Sequence, residues 1–199
     1  MPDRAFVPSF VAGLPLARDA LTFAAELHHG QRRSSDEAPF ILHPLEVAAL
    51  LFITDHSEAA VAAAILHDTV EDTPVEIEAI KQRFGKDVAA LVAAMTDDPG
   101  IESYQERKAA LRRQIAAFGV EATAIYAADK VAKVRELRAQ AGRDPDLLRG
   151  ERQDVGRRLE HYVESLVMLE EETARHPLVQ QLRFELEALR ALPPRASAP

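Results

Sequence analysis

The sequence predicts an all-α fold, a bundle of about nine to ten helices, on three observations. Helix start and stop signals recur along the chain. Only 8 of the 199 residues are glycine. No run of alternating apolar and polar residues bounded by turn residues stands out as a strand. The first helix is expected over 16–29, after an irregular arm at 1–14. Pro44, directly after His43, marks the start of a second over 44–53. The third, 57–69, contains EAAVAAAILH, nearly all apolar, and is expected to be central and buried. Thr73-Pro74-Val75-Glu76 reads as a capping box opening 74–84, and Gly85 ends it. A helix over 86–95 follows. Ser103-Tyr104-Gln105-Glu106 is a second capping box, for 103–118, closed by Gly119. The helix at 121–140 begins apolar and ends charged, so its first half belongs in the core. Two amphipathic and more exposed helices, 151–175 and 177–191, complete the set. Residues 193–199, PPRASAP, read as a disordered tail. The domain reading is therefore an arm (1–14), a main domain (15–176), and a C-terminal helix with its tail (177–199).

Composition removes several functions. Hydrophobic residues make up 47% and charged residues 28%, a globular balance. Lys and Arg number 24 against 32 Asp and Glu, a net charge of −8 that suits no nucleic-acid polymer. The chain has no cysteine, which removes disulfides, thiolate metal sites and Cys nucleophiles together. No apolar stretch approaches the length of a membrane span. The N-terminus lacks a charged-then-apolar signal pattern. These features lead us to expect a cytoplasmic protein. The amphipathic 177–191 helix is expected to pack on the bundle or on a second copy of the chain.

Four residues stand out chemically: His43, the pair His67-Asp68, and Asp129. Two imidazoles and two carboxylates suit a hard-to-borderline divalent ion such as Mn²⁺ or Fe²⁺. An Asp in the apolar stretch AIYAAD needs a cation, which is either a metal or Lys133 one turn on. A plain i,i+4 surface pair and a helix-capping His are the uneventful alternatives.

The order His…His-Asp…Asp resembles the HD phosphohydrolase superfamily. The segments HHGQRRSSDEAPFILHPLEVAALL (28–51), AAILHDTVEDT (63–73), RFGKDVAALVAAMTDD (83–98), ERK (106–108) and AADKVAKVREL (127–137) narrow the likeness. They resemble, in order, the hydrolase domain of RelA/SpoT-type alarmone enzymes, and most of all the small stand-alone members of the metazoan SpoT homologue type. The resemblance implies an all-α HD domain. It also implies Mn²⁺-dependent removal of the 3′-pyrophosphate of (p)ppGpp, with adenosine analogues or NADPH as further substrates. By the same likeness His43, His67, Asp68 and Asp129 match the metal ligands. Glu71 matches a catalytic acid that orients or deprotonates water, and Asp72 the second acid of that motif. A pyrophosphate brings several negative charges, so cations are needed nearby. Arg33 in the QRR turn, Lys108 in ERK, and Arg158 with Tyr162 at i,i+4 are the candidates the resemblance supplies.

Two departures bear on function. The family carries Asn where this chain has Lys133. That Lys either binds the scissile phosphate or protonates the leaving oxygen, or it pairs with Asp129 and weakens metal binding, leaving a nucleotide-binding or sensor module. Ser34 replaces a frequent Lys, and the SSDEA loop (34–38) is acidic.

Overall fold

The structure is a computed structural model that describes residues 8–148 and 153–192. Its helices are α1 (Ser9–Ala12), α2 (Pro15–Leu27), α3 (Leu42–Ile53), α4 (Glu58–Leu66), α5 (Thr69–Asp72), α6 (Ile77–Phe84), α7 (Lys86–Met95), α8 (Tyr104–Phe118), α9 (Val120–Arg143), α10 (Gln153–Thr173) and α11 (Pro177–Arg190), with a 3-10 turn at Pro145–Leu148. Among the described residues the only β feature is an isolated bridge between Arg32 and Pro39, so the all-α reading holds. With the two short helices α1 and α5 at one turn each, nine longer helices remain, each near an expected one. The tail at 193–199 and residues 1–7 of the arm lie outside the described residues. Within the arm, Ser9–Ala12 forms a turn of helix, and Val11 is buried.

Helix α4 is the hub. Residues 60–66 are all buried, because a helix apolar on every side must be covered on every side. It is covered by α2, α3, α7 and α9. Ser57 caps it, accepting from Ala60 N at 3.2 Å. The expected single helix over 57–69 is in fact broken after Leu66, and α5 starts anew at Thr69. That break matters for the site below.

The capping box expected at Thr73 is also corrected. Thr73 Oγ1 donates to Thr69 O at 2.7 Å and accepts from Val75 N at 3.3 Å. It therefore closes α5, and α6 begins only at Ile77. Ser103 does cap α8, accepting from Glu106 N at 3.4 Å. Gly85 (φ 88°) and Gly119 (φ 111°) each end one helix and open the next, in backbone conformations that only glycine adopts readily.

Helix α9 spans Val120–Arg143, and its burial runs well past the expected first half, through Val131, Val134 and Leu137. Helix α11 lays its buried Leu178, Val179, Leu182, Leu186 and Leu189 against α9. Glu185, 2% exposed, receives Arg135 at 2.8 Å and Arg138 at 2.8 Å from α9. The charged end of α9 is thus held by α11 instead of lying free in water.

Candidate active site

The break between α4 and α5 is where the site begins. A helix end leaves carbonyls without partners. Here side chains supply them: Thr69 Oγ1 donates to Leu66 O at 2.6 Å, and His67 Nδ1 bonds Ala64 O at 2.7 Å. The second bond requires a proton on His67 Nδ1, because a carbonyl only accepts. It therefore leaves the Nε2 lone pair free. That Nε2 is fully buried and has no hydrogen-bond partner.

Three other groups converge on it. His67 Nε2 lies 3.1 Å from Asp68 Oδ1 and 3.6 Å from Asp129 Oδ1. His43 Nε2, from the first turn of α3, lies 3.1 Å from Asp129 Oδ1 and 3.5 Å from Asp68 Oδ2. One ligand atom each from His43, His67 and Asp129 falls within 4.8 Å of the others, and all three residues are buried. Asp68 closes the group from the α4–α5 break. The structure thus gathers the four residues singled out as metal ligands, although they come from chain segments as far apart as His43 and Asp129.

The donor set fits a divalent ion. An orphaned buried lone pair, a second imidazole and two carboxylates are the ligands that Mn²⁺, Fe²⁺ or similar ions take. The protein's own cations balance the carboxylates: Lys130 Nζ sits 2.6 Å from Asp129 Oδ2, and Lys133 Nζ 3.0 Å from Asp129 Oδ1. Burial alone raises a carboxyl, but these two ammonium groups outweigh it and hold Asp129 well below the usual range. Burial lowers the His67 imidazole, yet the adjacent carboxylates of Asp68 and Asp129 carry it up to about 10 with no ion bound, so an ion there would take the place of a proton on Nε2.

A cavity of about 390 Å³ opens beside His43. Arg32, Arg33, Lys108, Lys130, Lys133 and Arg158 line it, against one acid, Glu136. Six cations on one wall of a chain with net charge −8 make a concentrated anion site. All the substrate-binding candidates meet here: Arg33, Lys108, Lys133, Arg158 and Tyr162 line the same cavity. Lys108 is paired with Asp97, and Arg33 with Asp36. Arg158 stands one helical turn before Tyr162, which is buried and lines the same cavity.

Glu71 and Asp72 sit on α5, one turn beyond the ligand pair, and do not line that cavity. Glu71 Oε1 accepts the backbone N–H of Asp97 at 2.5 Å. The protein packed around the Glu71 carboxyl raises it above the ordinary value, the Asp97 N–H opposes this, and the Asp97 charge adds to it. Asp72 is raised too, by burial first and then by the charge of Asp68.

Sequence reasoning missed several cavity residues, among them Lys130, His161 and Tyr104. Lys130 is 4% exposed, its ammonium 4.2 Å from the Tyr126 ring centroid. His161 is 4% exposed and accepts from Arg112 at Nδ1, 2.9 Å away. Burial, with Lys130, Lys108 and Arg112 close by, pushes His161 down to about 2, so it is neutral. Tyr104, which sequence reading used only as part of a cap, faces His161 edge-on at 6.3 Å. The i,i+1 position of Lys130 after Asp129 was the one available signal.

Comparison with known proteins follows the same lines. The HD domain family matches residues 20–159, and the chain belongs to that family. It is 41% identical over 128 residues to the guanosine-3′,5′-bis(diphosphate) 3′-pyrophosphohydrolase MESH1 of Xenopus tropicalis, covering 62% of this chain and 70% of the relative. It is 39% identical over 124 residues to MESH1 of Drosophila melanogaster, covering 60% of this chain and 68% of the relative. Among solved structures it is similar to a metazoan ortholog of SpoT described as hydrolyzing ppGpp and playing a role in starvation responses. That likeness has a TM-score of 0.70 at 27% identity, covering 95% of this chain and 100% of the other.

Proposed function

We propose that this chain is a metal-dependent phosphohydrolase that removes the 3′-pyrophosphate of ppGpp, acting on the free nucleotide in the cytoplasm. The observation that carries this is a single juxtaposition. The buried, unpartnered His67 Nε2 is grouped with three further ligands, and one of them, His43, lines a cavity that six cations also line. A metal centre alone suits many reactions, and a cationic cavity alone suits any anion. Together they fit phosphorus chemistry on a polyanionic ligand, and relatives at about 40% identity carry the name of that hydrolase.

His43, His67, Asp68 and Asp129 would hold a divalent ion, with Mn²⁺ our assignment and Fe²⁺ its nearest rival, which when bound would supply Lewis acidity and lower the pKa of water. Glu71 orients the attacking water and takes its proton; its raised carboxyl makes it a stronger base than an ordinary Glu. Asp72 is the second acid on that turn. Arg33, Lys108, Lys133 and Arg158 receive the phosphate oxygens, with Tyr162 holding Arg158 in place. Water oxygen bonds to phosphorus, the bond to the ribose 3′ oxygen breaks, and Lys133 is assigned to protonate that oxygen.

Purified protein with Mn²⁺ and ppGpp should release pyrophosphate, and His67→Ala should not. Adenosine analogues and NADPH are the next substrates to assay, and no turnover of any of them overturns the reading. A second reading rests on one distance. Lys133 Nζ contacts Asp129 Oδ1, the same oxygen that faces both histidines. A Lys there competes with the ion and leaves a nucleotide-binding module without turnover. Lys133→Asn separates the two: a large gain in rate favours the binding module, a loss favours a working Lys133.

A further inference from the structure

The proposed reaction uses Arg33 but no other residue of the acidic loop between Arg32 and Pro39. Its composition is odd beside a cavity that collects cations. The loop folds back as a hairpin, with Arg33 N donating to Ala38 O at 2.9 Å and Phe40 N to Gln31 O at 3.0 Å. Glu37 takes a positive φ of 59° at its turn. Arg143 from the end of α9 pins it, donating to Ser35 O at 3.1 Å. Asp36 stands next to the turn, and its carboxylate takes one whole edge of the Arg33 guanidinium. Arg33 Nε donates to Asp36 Oδ1 at 3.0 Å, and Nη2 contacts Oδ2. Oδ1 also accepts Ala38 N at 3.1 Å. Arg33 stands on the wall between the main cavity and a smaller one of about 200 Å³, and Asp36 lines only the smaller.

A guanidinium edge fits one carboxylate or one phosphate, not both at once. We propose that Asp36 is an affinity-setting residue, a built-in anion that occupies Arg33 until the phosphate of the substrate displaces it. This rests on the reading of the main cavity as a phosphate site. Asp36 has two opposing effects on binding. It keeps Arg33 ordered, which helps, and it cancels the charge of Arg33, which hinders. The ordering concerns one partly exposed side chain. The Asp36 carboxylate holds the very guanidinium edge that a phosphate would take, so the hindrance prevails. Position 36 then sets how much phosphate the loop lets in, and a neutral residue there makes a tighter binder.

The test is calorimetric titration of the full chain with inorganic pyrophosphate, without added metal. Asp36→Asn keeps an oxygen for the Ala38 N–H, so the loop retains its turn. It is expected to lower the dissociation constant by about two- to fivefold, the scale of a partly exposed ion pair. Arg33→Ala is expected to weaken binding, and in that background Asp36→Asn should bring no gain. Equal or weaker binding by Asp36→Asn overturns the proposal. So does an undiminished gain without Arg33, or a parent protein that binds no pyrophosphate. Mn²⁺-dependent turnover of ppGpp, measured in parallel, tests the functional reading separately. Its absence sinks that reading while the pyrophosphate result still decides the role of Asp36.

Discussion

Two regions are built by different physics: the buried ligand cluster, here the floor, and the exposed loop that carries Arg33 and Asp36, here the mouth. At the floor, His43, His67, Asp68 and Asp129 are all buried, and Asp129 is 1% exposed. Their positions follow from helix packing and from the capped end of α4, which also fixes the His67 tautomer. At the mouth, Arg33, Asp36 and Arg143 interact across a short loop, and the side chain of Asp36 is 32% exposed. A buried charge left without its partner costs several kcal/mol, whereas an exposed pair contributes 1 kcal/mol or less, about what salt can screen. The proposed chemistry therefore rests on the tightly held floor, and the proposed control of affinity on the looser mouth.

The largest expected effect is on the floor. His67→Ala removes one ligand and the tautomer-fixing bond, and should lower the rate on ppGpp by about a thousandfold or more, as steady-state kinetics would read. A rate near that of the parent, at an unchanged metal requirement, would show that His67 is not a metal ligand. Asp129→Ala should cost about 3–5 kcal/mol in denaturant unfolding, because it leaves the buried Lys130 ammonium without its carboxylate. A cost below 1 kcal/mol would mean that the floor relaxes like the mouth.

His161 gives an intermediate effect, on the cavity wall. Its folded value of about 2 lies below the ordinary 6.5, so above pH 6.5 it makes no difference. As pH falls below 6.5, the unfolded chain takes up a proton that the folded chain refuses, and stability drops. At pH 5 this loss amounts to about 2 kcal/mol. Unfolding at pH 7 and pH 5 should show the parent losing more than His161→Gln by that amount, and parallel losses would refute a neutral His161. The smallest effect belongs to the mouth. Arg143→Ala removes one exposed hydrogen bond to Ser35 O and should change stability by about 0.5 kcal/mol or less.

The same division governs what the sequence reveals. The helices were legible because EAAVAAAIL has no polar face and because Ser103 and the glycines punctuate the chain. The grouping of His43, His67, Asp68 and Asp129 was legible only through the order of motifs, since spacing along the chain says nothing of distances across 86 residues. The break after Leu66 was not legible. His67 and Thr69 end α4 by bonding its own carbonyls, and local propensity does not register such bonds. Thr73 misled for a related reason, since its hydroxyl serves the helix before it. Lys130 and His161 were missed because Lys and His are usually solvated or singly buried, and only the packing of α9 against α10 reveals otherwise. The packing of α11 on α9 through Glu185 likewise depends on a partner 50 residues away.

The most direct test of the central claim is diffraction at the manganese absorption edge from crystals grown with Mn²⁺. The account expects one anomalous peak within bonding distance of His43 Nε2, His67 Nε2 and the carboxylates of Asp68 and Asp129. No peak there, with Lys133 still seated on Asp129 at saturating metal, would contradict it.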